Sequence, residues 1–154
     1  MDELKHAPVE ALAVTREEAH EGFAFVKRTF VPRTPGGRMT ASVYELAPGK
    51  AAYPYHYHIE CEELFFILSG QGTLSTPQGE RPVRAGDLLH FPACEQGAHK
   101  LTNTSAETLR YLDVDTCTPL DMAVYPASGK VGVFGPGISQ IYREKEQTDY
   151  YDGE

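Results

Sequence analysis

Glycine and proline punctuate this chain at intervals of about ten residues, and the runs between them are short and apolar or alternating. GFAFVKRTFVP starts at Gly22 and is stopped by Pro32. Pro35, Gly36 and Gly37 form a turn signal, and MTASVYELAPG ends on Pro48 and Gly49. Farther on, ELFFIL (63–68) is bounded by Ser69, Gly70 and Gly72, and TPQGE turns the chain between 73–76 and RPVR at 81–84. Segments 87–91, 99–102 and 108–114 read as further strands, and 122–125 and 130–134 as two weaker ones. A helix of ordinary length has no room between such breaks, so the pattern predicts an all-β sandwich or barrel. Residues 1–21 read as a polar N-terminal arm with a weak helical flavour at 15–20. Residues 22–142 form the barrel, and 143–154 a polar C-terminal tail.

Two of these stretches carry chemistry. In GKAAYPYHYHIECEELFFILSG (49–70), His56 and His58 are two apart, so on an extended backbone both imidazoles point to one side. Glu63 follows at a distance that lets the chain turn and bring a hard carboxylate oxygen back to the two nitrogens. In GDLLHFPACEQGAHKLTN (86–103), a short strand breaks at Pro92 and a polar loop delivers His99. Three imidazoles and one carboxylate suit manganese, iron, nickel, copper or zinc, and leave open positions on ions that take five or six ligands.

These two stretches resemble the motifs of the cupin superfamily. The first motif is met by Gly49, His56, His58, Glu63 and Gly70, with six residues in place of five after Gly49. The second is met by Gly86, Pro92, His99 and Asn103, but Pro92 to His99 is two residues longer than the pattern and Gly97 is displaced. The resemblance implies a double-stranded β-helix, the cupin jelly-roll barrel, with a short N-terminal extension. It implies one divalent transition metal per chain (iron, manganese, nickel or zinc) held by His56, His58, Glu63 and His99. It also implies a homodimer, for which the strand from Gly22 to Pro32 is the candidate. It leaves the reaction open, because one fold serves many chemistries.

Composition narrows the partners. With 14 Lys and Arg against 22 Asp and Glu the net charge is −8, which repels phosphate backbones and anionic lipid. The expected partner is a small molecule, with no nucleic acid and no membrane. The N-terminus lacks the basic start and apolar run of a signal peptide, so a cytoplasmic location is expected. Cys61, Cys94 and Cys117 are odd in number and show no CxxC spacing, which argues against a disulfide framework. Cys61 and Cys94 flank the motif histidines and could stand near the metal, but both read first as small buried or half-buried thiols.

Around the ligands, Tyr53, Tyr55, Tyr57 and Phe66 are candidate pocket residues, with Tyr55 and Tyr57 weighted toward packing. Asn103 and Gln96 are candidate supporting or substrate-binding groups, and Arg84 and Arg110 candidate anion contacts. Glu62 should face away from Glu63 toward solvent or a salt bridge, His90 reads as structural, and His6 and His20 as solvated. Two functions fit. One is an enzyme of dioxygenase, isomerase or lyase type acting on a small polar molecule coordinated to the metal. The other is a non-enzymatic module that binds or senses a small, sugar-like molecule.

Overall fold

The computed structural model describes residues 4–154, so the first three residues of the expected arm lie outside it. Thirteen strands follow one another: β1 (Arg16–His20), β2 (Phe23–Val31), β3 (Met39–Leu46), β4 (Tyr57–His58), β5 (Glu63–Ser69), β6 (Gln71–Thr76), β7 (Gly79–Arg84), β8 (Leu88–Phe91), β9 (Lys100–Thr102), β10 (Leu109–Thr116), β11 (Asp121–Tyr125), β12 (Lys130–Gly135) and β13 (Ile138–Arg143). Only single 3₁₀ turns interrupt them, and no helix among the described residues is long and apolar enough to cross a membrane. The breaks read from glycine and proline therefore fall where strands end. The helical flavour at 15–20 is not realised, because β1 pairs antiparallel with all of Phe23–Lys27 and its backbone finds its partners there.

One sheet has the order β1-β2-β3-β10-β5-β8, and two smaller ones run β13-β12-β11-β4 and β7-β6-β9. All the ladders are antiparallel. Together they form the jelly-roll barrel. The strand expected to be free for pairing between chains, β2, is enclosed by β1 and β3, and the open edges of the large sheet are β1 and β8.

Alternation decides what faces inward. On β10, Leu109, Tyr111 and Asp113 are buried while Arg110, Leu112 and Val114 lie on the other face. On β5 the inward set is Glu63, Phe65 and Ile67. These meet Phe25, Tyr44 and Leu46 from the large sheet and Leu74, Val83 and Leu101 from the facing strands in one core. Leu46, Ile67 and Leu109 are fully buried, each contributing about 1.5–3 kcal/mol. Tyr44 and Tyr111 stack at 5.2 Å. Gly70 makes the β5–β6 turn at φ 81°, where a Cβ would also lie 2.7 Å from the Thr108 carbonyl oxygen. No other residue meets both conditions without strain.

The core ends where the apolar residues give way to polar ones. At one end of β5 and β10, Glu63 lies opposite Asp115 across the ladder, and Asp113 is the next inward residue on β10. That end of the barrel holds the chemistry.

Candidate metal centre

The backbone joins the two histidine stretches directly. His56 N donates to His99 O at 3.1 Å and His99 N donates to His56 O at 2.9 Å, so these rings sit beside each other with centroids 4.9 Å apart. His58, on β4, is held by the pairing of β4 with β11. Glu63 opens β5 on its inward face. The structure thus brings together all four residues of the expected ligand set. Donor atoms of His56, His58 and Glu63 lie within 4.8 Å of one another. Measured to Glu63 Oε2, the Nε2 atoms stand at 4.0 Å (His56), 3.8 Å (His58) and 3.4 Å (His99).

Each imidazole is oriented from behind. Nδ1 of His56 donates to Pro54 O at 2.8 Å, Nδ1 of His99 to Gly97 O at 2.9 Å, and Nδ1 of His58 to Asp121 Oδ2 at 2.5 Å. A neutral ring that spends its N–H in this way has a bare lone pair on Nε2. Three such lone pairs face a carboxylate oxygen. Acceptors converging on acceptors repel one another unless a proton or a metal ion lies among them, and ligand orientation through the second ring nitrogen is the usual support of a metal site. At metal–ligand bonds of about 2.1 Å, two donors on one ion stand about 3.0–4.2 Å apart; the three distances to Glu63 fall within that span, and His99, outside the close group of His56, His58 and Glu63, joins it through Glu63. The residues present fit a divalent transition ion.

Electrostatics keep two of the three imidazoles neutral. Burial, and then the nearby His58, push His56 down to about 4. Burial and the neighbouring His56 push His99 down to about 3. Burial also opposes a charge on His58, but the Asp121 hydrogen bond and the Glu63 carboxylate outweigh it and its pKa is raised. Asp121 is lowered, because the hydrogen bond from His58 and those from the Glu60 and Cys61 amides overcome its burial. Burial raises Glu63 to about 7. An ion must displace that proton, so affinity for Mn(II) is expected to fall as pH drops below about 7, by roughly fivefold between pH 7 and 6 and approaching tenfold per unit below that. Calorimetric titrations at pH 8, 7 and 6 check this, and a flat profile contradicts it.

Aromatic rings fix the ligands from the sides. Phe91 stacks on His99 at 3.6 Å and Tyr125 on His56 at 5.7 Å. Tyr53 meets His56 edge-on at 6.3 Å and hydrogen-bonds Tyr44 at 3.1 Å. Of the expected pocket residues Phe66 is a correction: it lies on the outward face of β5, and its neighbour Phe65 faces the core and His99. Tyr55 and Tyr57 are half-buried beside the ligands.

Asn103 is fully buried and occupied. Its Nδ2 donates to Leu46 O (2.8 Å) and Glu107 O (2.7 Å), and its Oδ1 accepts from Ser105, so it shapes a turn and offers nothing to a substrate. Gln96 is exposed and accepts from Gln78 at 3.0 Å, lining a groove that includes none of the four ligands. Arg84 is exposed and Arg110 faces Glu45 on the outside of the large sheet at 3.7 Å, so neither reaches the site. Glu62 meets His90 at 2.9 Å on the surface, and His20 meets Glu18 at 2.9 Å.

A cavity of about 90 Å³ opens beside the cluster, lined among others by Arg33, Thr40, His58, Cys61, Glu63 and Asp115. Cys61 is buried there with its thiol 3.6 Å from Thr118 Oγ1, and burial raises its pKa, which keeps it a thiol. Cys94 is exposed. Sequence reasoning missed Asp121, Asp113, Asp115, Tyr125 and Arg33. Asp113 and Asp115 carry a visible signal, two acids spaced two apart on a strand with apolar alternates. Asp121 reaches His58 across 63 positions and has none.

An all-β barrel with imidazoles and a carboxylate at one end defines a jelly-roll protein with a metal-type site. The Cupin domain family matches residues 42–115, which include both histidine stretches, and the chain belongs to the cupin superfamily. Auxin-binding protein 1 of Arabidopsis thaliana is 33% identical over 88 residues, 51% of this chain and 42% of that protein, so the chain matches about two fifths of its length. A provisionally assigned sugar phosphate isomerase from Acidithiobacillus ferrooxidans superposes with a TM-score of 0.78 at 25% identity, covering 92% of this chain and 91% of that one. A sugar phosphate isomerase of the cupin superfamily from Silicibacter pomeroyi gives 0.80 at 20% identity, covering 96% and 98%.

Proposed function

We propose that this cupin is a metal-dependent enzyme in which His56, His58, Glu63 and His99 hold one divalent transition ion, iron, manganese, nickel or zinc, and a small polar molecule binds beside it. The carrying observation is the convergence of three oriented Nε2 lone pairs on the Glu63 oxygen at 3.4–4.0 Å. Bound there, such an ion acts as a Lewis acid on a carbonyl or hydroxyl oxygen. The chain supplies the rest. Phe91 and Tyr125 lock the rings, Asp121 orients His58, and the narrow cavity limits water. Asp115 is held by Thr40 at 2.8 Å and lies beside Asp113, whose buried carboxyl is raised well above the ordinary carboxylate range and hydrogen-bonds to it, so the pair borders the cluster at Glu63. Among dioxygenase, isomerase and lyase chemistry, the 25% identity to the Acidithiobacillus protein favours isomerisation.

The binding-module reading is favoured by the partial likeness to a protein named for binding. Two chains pairing as a homodimer belong to either reading, and with β2 enclosed the pairing edge is β1 or β8. Elemental analysis of untagged protein purified without added metal tests the proposal. Near-stoichiometric iron, manganese, nickel or zinc is expected in the wild type and not in His58→Ala. Less than a tenth of an equivalent, persisting after reconstitution with each of the four, would sink it.

A further inference from the structure

Outside the ligand cluster lies a concavity of about 670 Å³. The β2–β3 turn from Arg33 to Arg38 forms one wall, and Cys117, Thr118, Pro119, Gly135 and Pro136 the other. It shares Arg33 and Cys117 with the inner cavity of about 90 Å³ that reaches His58 and Glu63. The two spaces therefore adjoin at Arg33 and Cys117, on the side of the cluster. The outer volume suits a small-molecule pocket of about 300–1,000 Å³.

Two cations stand in this outer wall unspent. Arg16, Arg28 and Arg110, on the large sheet, face glutamates at 2.7, 3.1 and 3.7 Å. Arg33 and Arg38 have no carboxylate within 4.0 Å among the described residues. Arg33 is braced rather than free to swing: its Nη2 donates to Thr118 O at 3.0 Å, which leaves most of its five N–H donors open. The turn that carries both residues is closed by Gly37 N donating to Thr34 O at 3.0 Å. Its far end is tied to the end of β10 by Cys117 N donating to Arg38 O at 2.9 Å. In a chain of net charge −8, two unpaired guanidiniums at one cavity mark a place for an anion, and the planar guanidinium fork matches phosphate or carboxylate oxygens. At the inner end the Asp115 carboxyl, beside Asp113 and lining the small cavity with His58 and Glu63, offers a hydrogen-bonding group to a substrate hydroxyl.

We propose that the substrate is a small hydroxylated molecule ending in a phosphate or carboxylate, with its anionic group held by Arg33 and Arg38 and its hydroxyl-bearing end at His58, Glu63 and Asp115. This rests on the metal-centre reading for the inner end, while the anion subsite itself needs no metal.

The test uses full-length protein freed of metal by chelation and titrated in parallel with inorganic phosphate and with acetate. Wild type is expected to bind at least one of them, the tighter identifying the anionic group. The R33Q/R38Q variant should bind it at least tenfold more weakly while taking up Mn(II) like wild type, and R81Q, at an exposed arginine of β7 that lines neither cavity, should match wild type. Equal binding by R33Q/R38Q, or no binding of either anion by metal-free wild type, overturns the proposal. Phosphate bound only by the metal-loaded protein, and equally by R33Q/R38Q, overturns it too but leaves the metal reading standing. Arginine-dependent binding in a protein that never takes up metal supports the anion subsite and defeats the metal reading.

Discussion

Glu63→Gln is expected to move stability in opposite directions with and without metal. Loaded with a divalent ion at about a thousand times its dissociation constant, wild type gains about 4 kcal/mol. For a chain of this length that is a rise in melting temperature of roughly 8–16 °C. The variant keeps the side-chain volume but loses the anion facing the three imidazoles. Loss of a supporting partner costs about 10–100-fold in metal affinity, and loss of a ligand should exceed that, removing about 3 kcal/mol or more of the gain. Without metal the sign reverses. Burial raises Glu63 from its ordinary 4.5 to about 7, so its contribution to folding is present below about 4.5 and lost as pH rises through about 7. At pH 8 the metal-free wild type thus holds a buried charge costing roughly 3 kcal/mol that the amide does not carry. Thermal melts at pH 8, chelated and Mn(II)-loaded, read both effects. If the ion raises wild type and Glu63→Gln equally, Glu63 is no ligand.

Gly97→Ala should disable the same centre from outside it. Gly97 ends the 3₁₀ turn Glu95–Gly97 that absorbs the extra length between Pro92 and His99, and its carbonyl accepts from His99 Nδ1 at 2.9 Å. A Cβ there would stand 2.0 Å from Pro92 O and 3.0 Å from Pro92 N, both backbone atoms that cannot swing aside. The loop must open, and the carbonyl that orients His99 moves with it. Overpacking of this kind costs about 1–3 kcal/mol, and misorienting the ligand about 10–100-fold in metal affinity. Gln96→Ala, exposed on the same turn, should stay within about 0.5 kcal/mol of wild type. Metal titration and melts of the two variants side by side decide it, and wild-type affinity in Gly97→Ala would show that the turn does not position His99.

Much of the candidate site was legible because its elements are local. His56 and His58 share one short stretch, Glu63 heads the next strand, and His99 follows a proline break, so each announces itself within a few residues. What supports and surrounds them is not local. Asp121 meets His58 from 63 positions away, and Arg33 meets Thr118 only because β3 pairs with β10 along its full length. Phe65 and Phe66 differ only in register, and no pattern in an all-apolar run tells which faces inward. Asn103 reads as a candidate contact by residue type, yet three hydrogen bonds within its own turn and a fourth to the Leu46 carbonyl consume it.

By itself the sequence determined the all-β class, the strand breaks and the four residues most suited to an ion. Glycine and proline restrict the backbone where they stand, and ligand chemistry belongs to the side chain. Tertiary structure alone decided that those four side chains meet, that Asp121 and the Gly97 carbonyl orient them, and that two unpaired arginines look onto the same cavity. Such facts depend on which strands become neighbours, and neighbours in this barrel are set by burying a core whose members lie far apart along the chain.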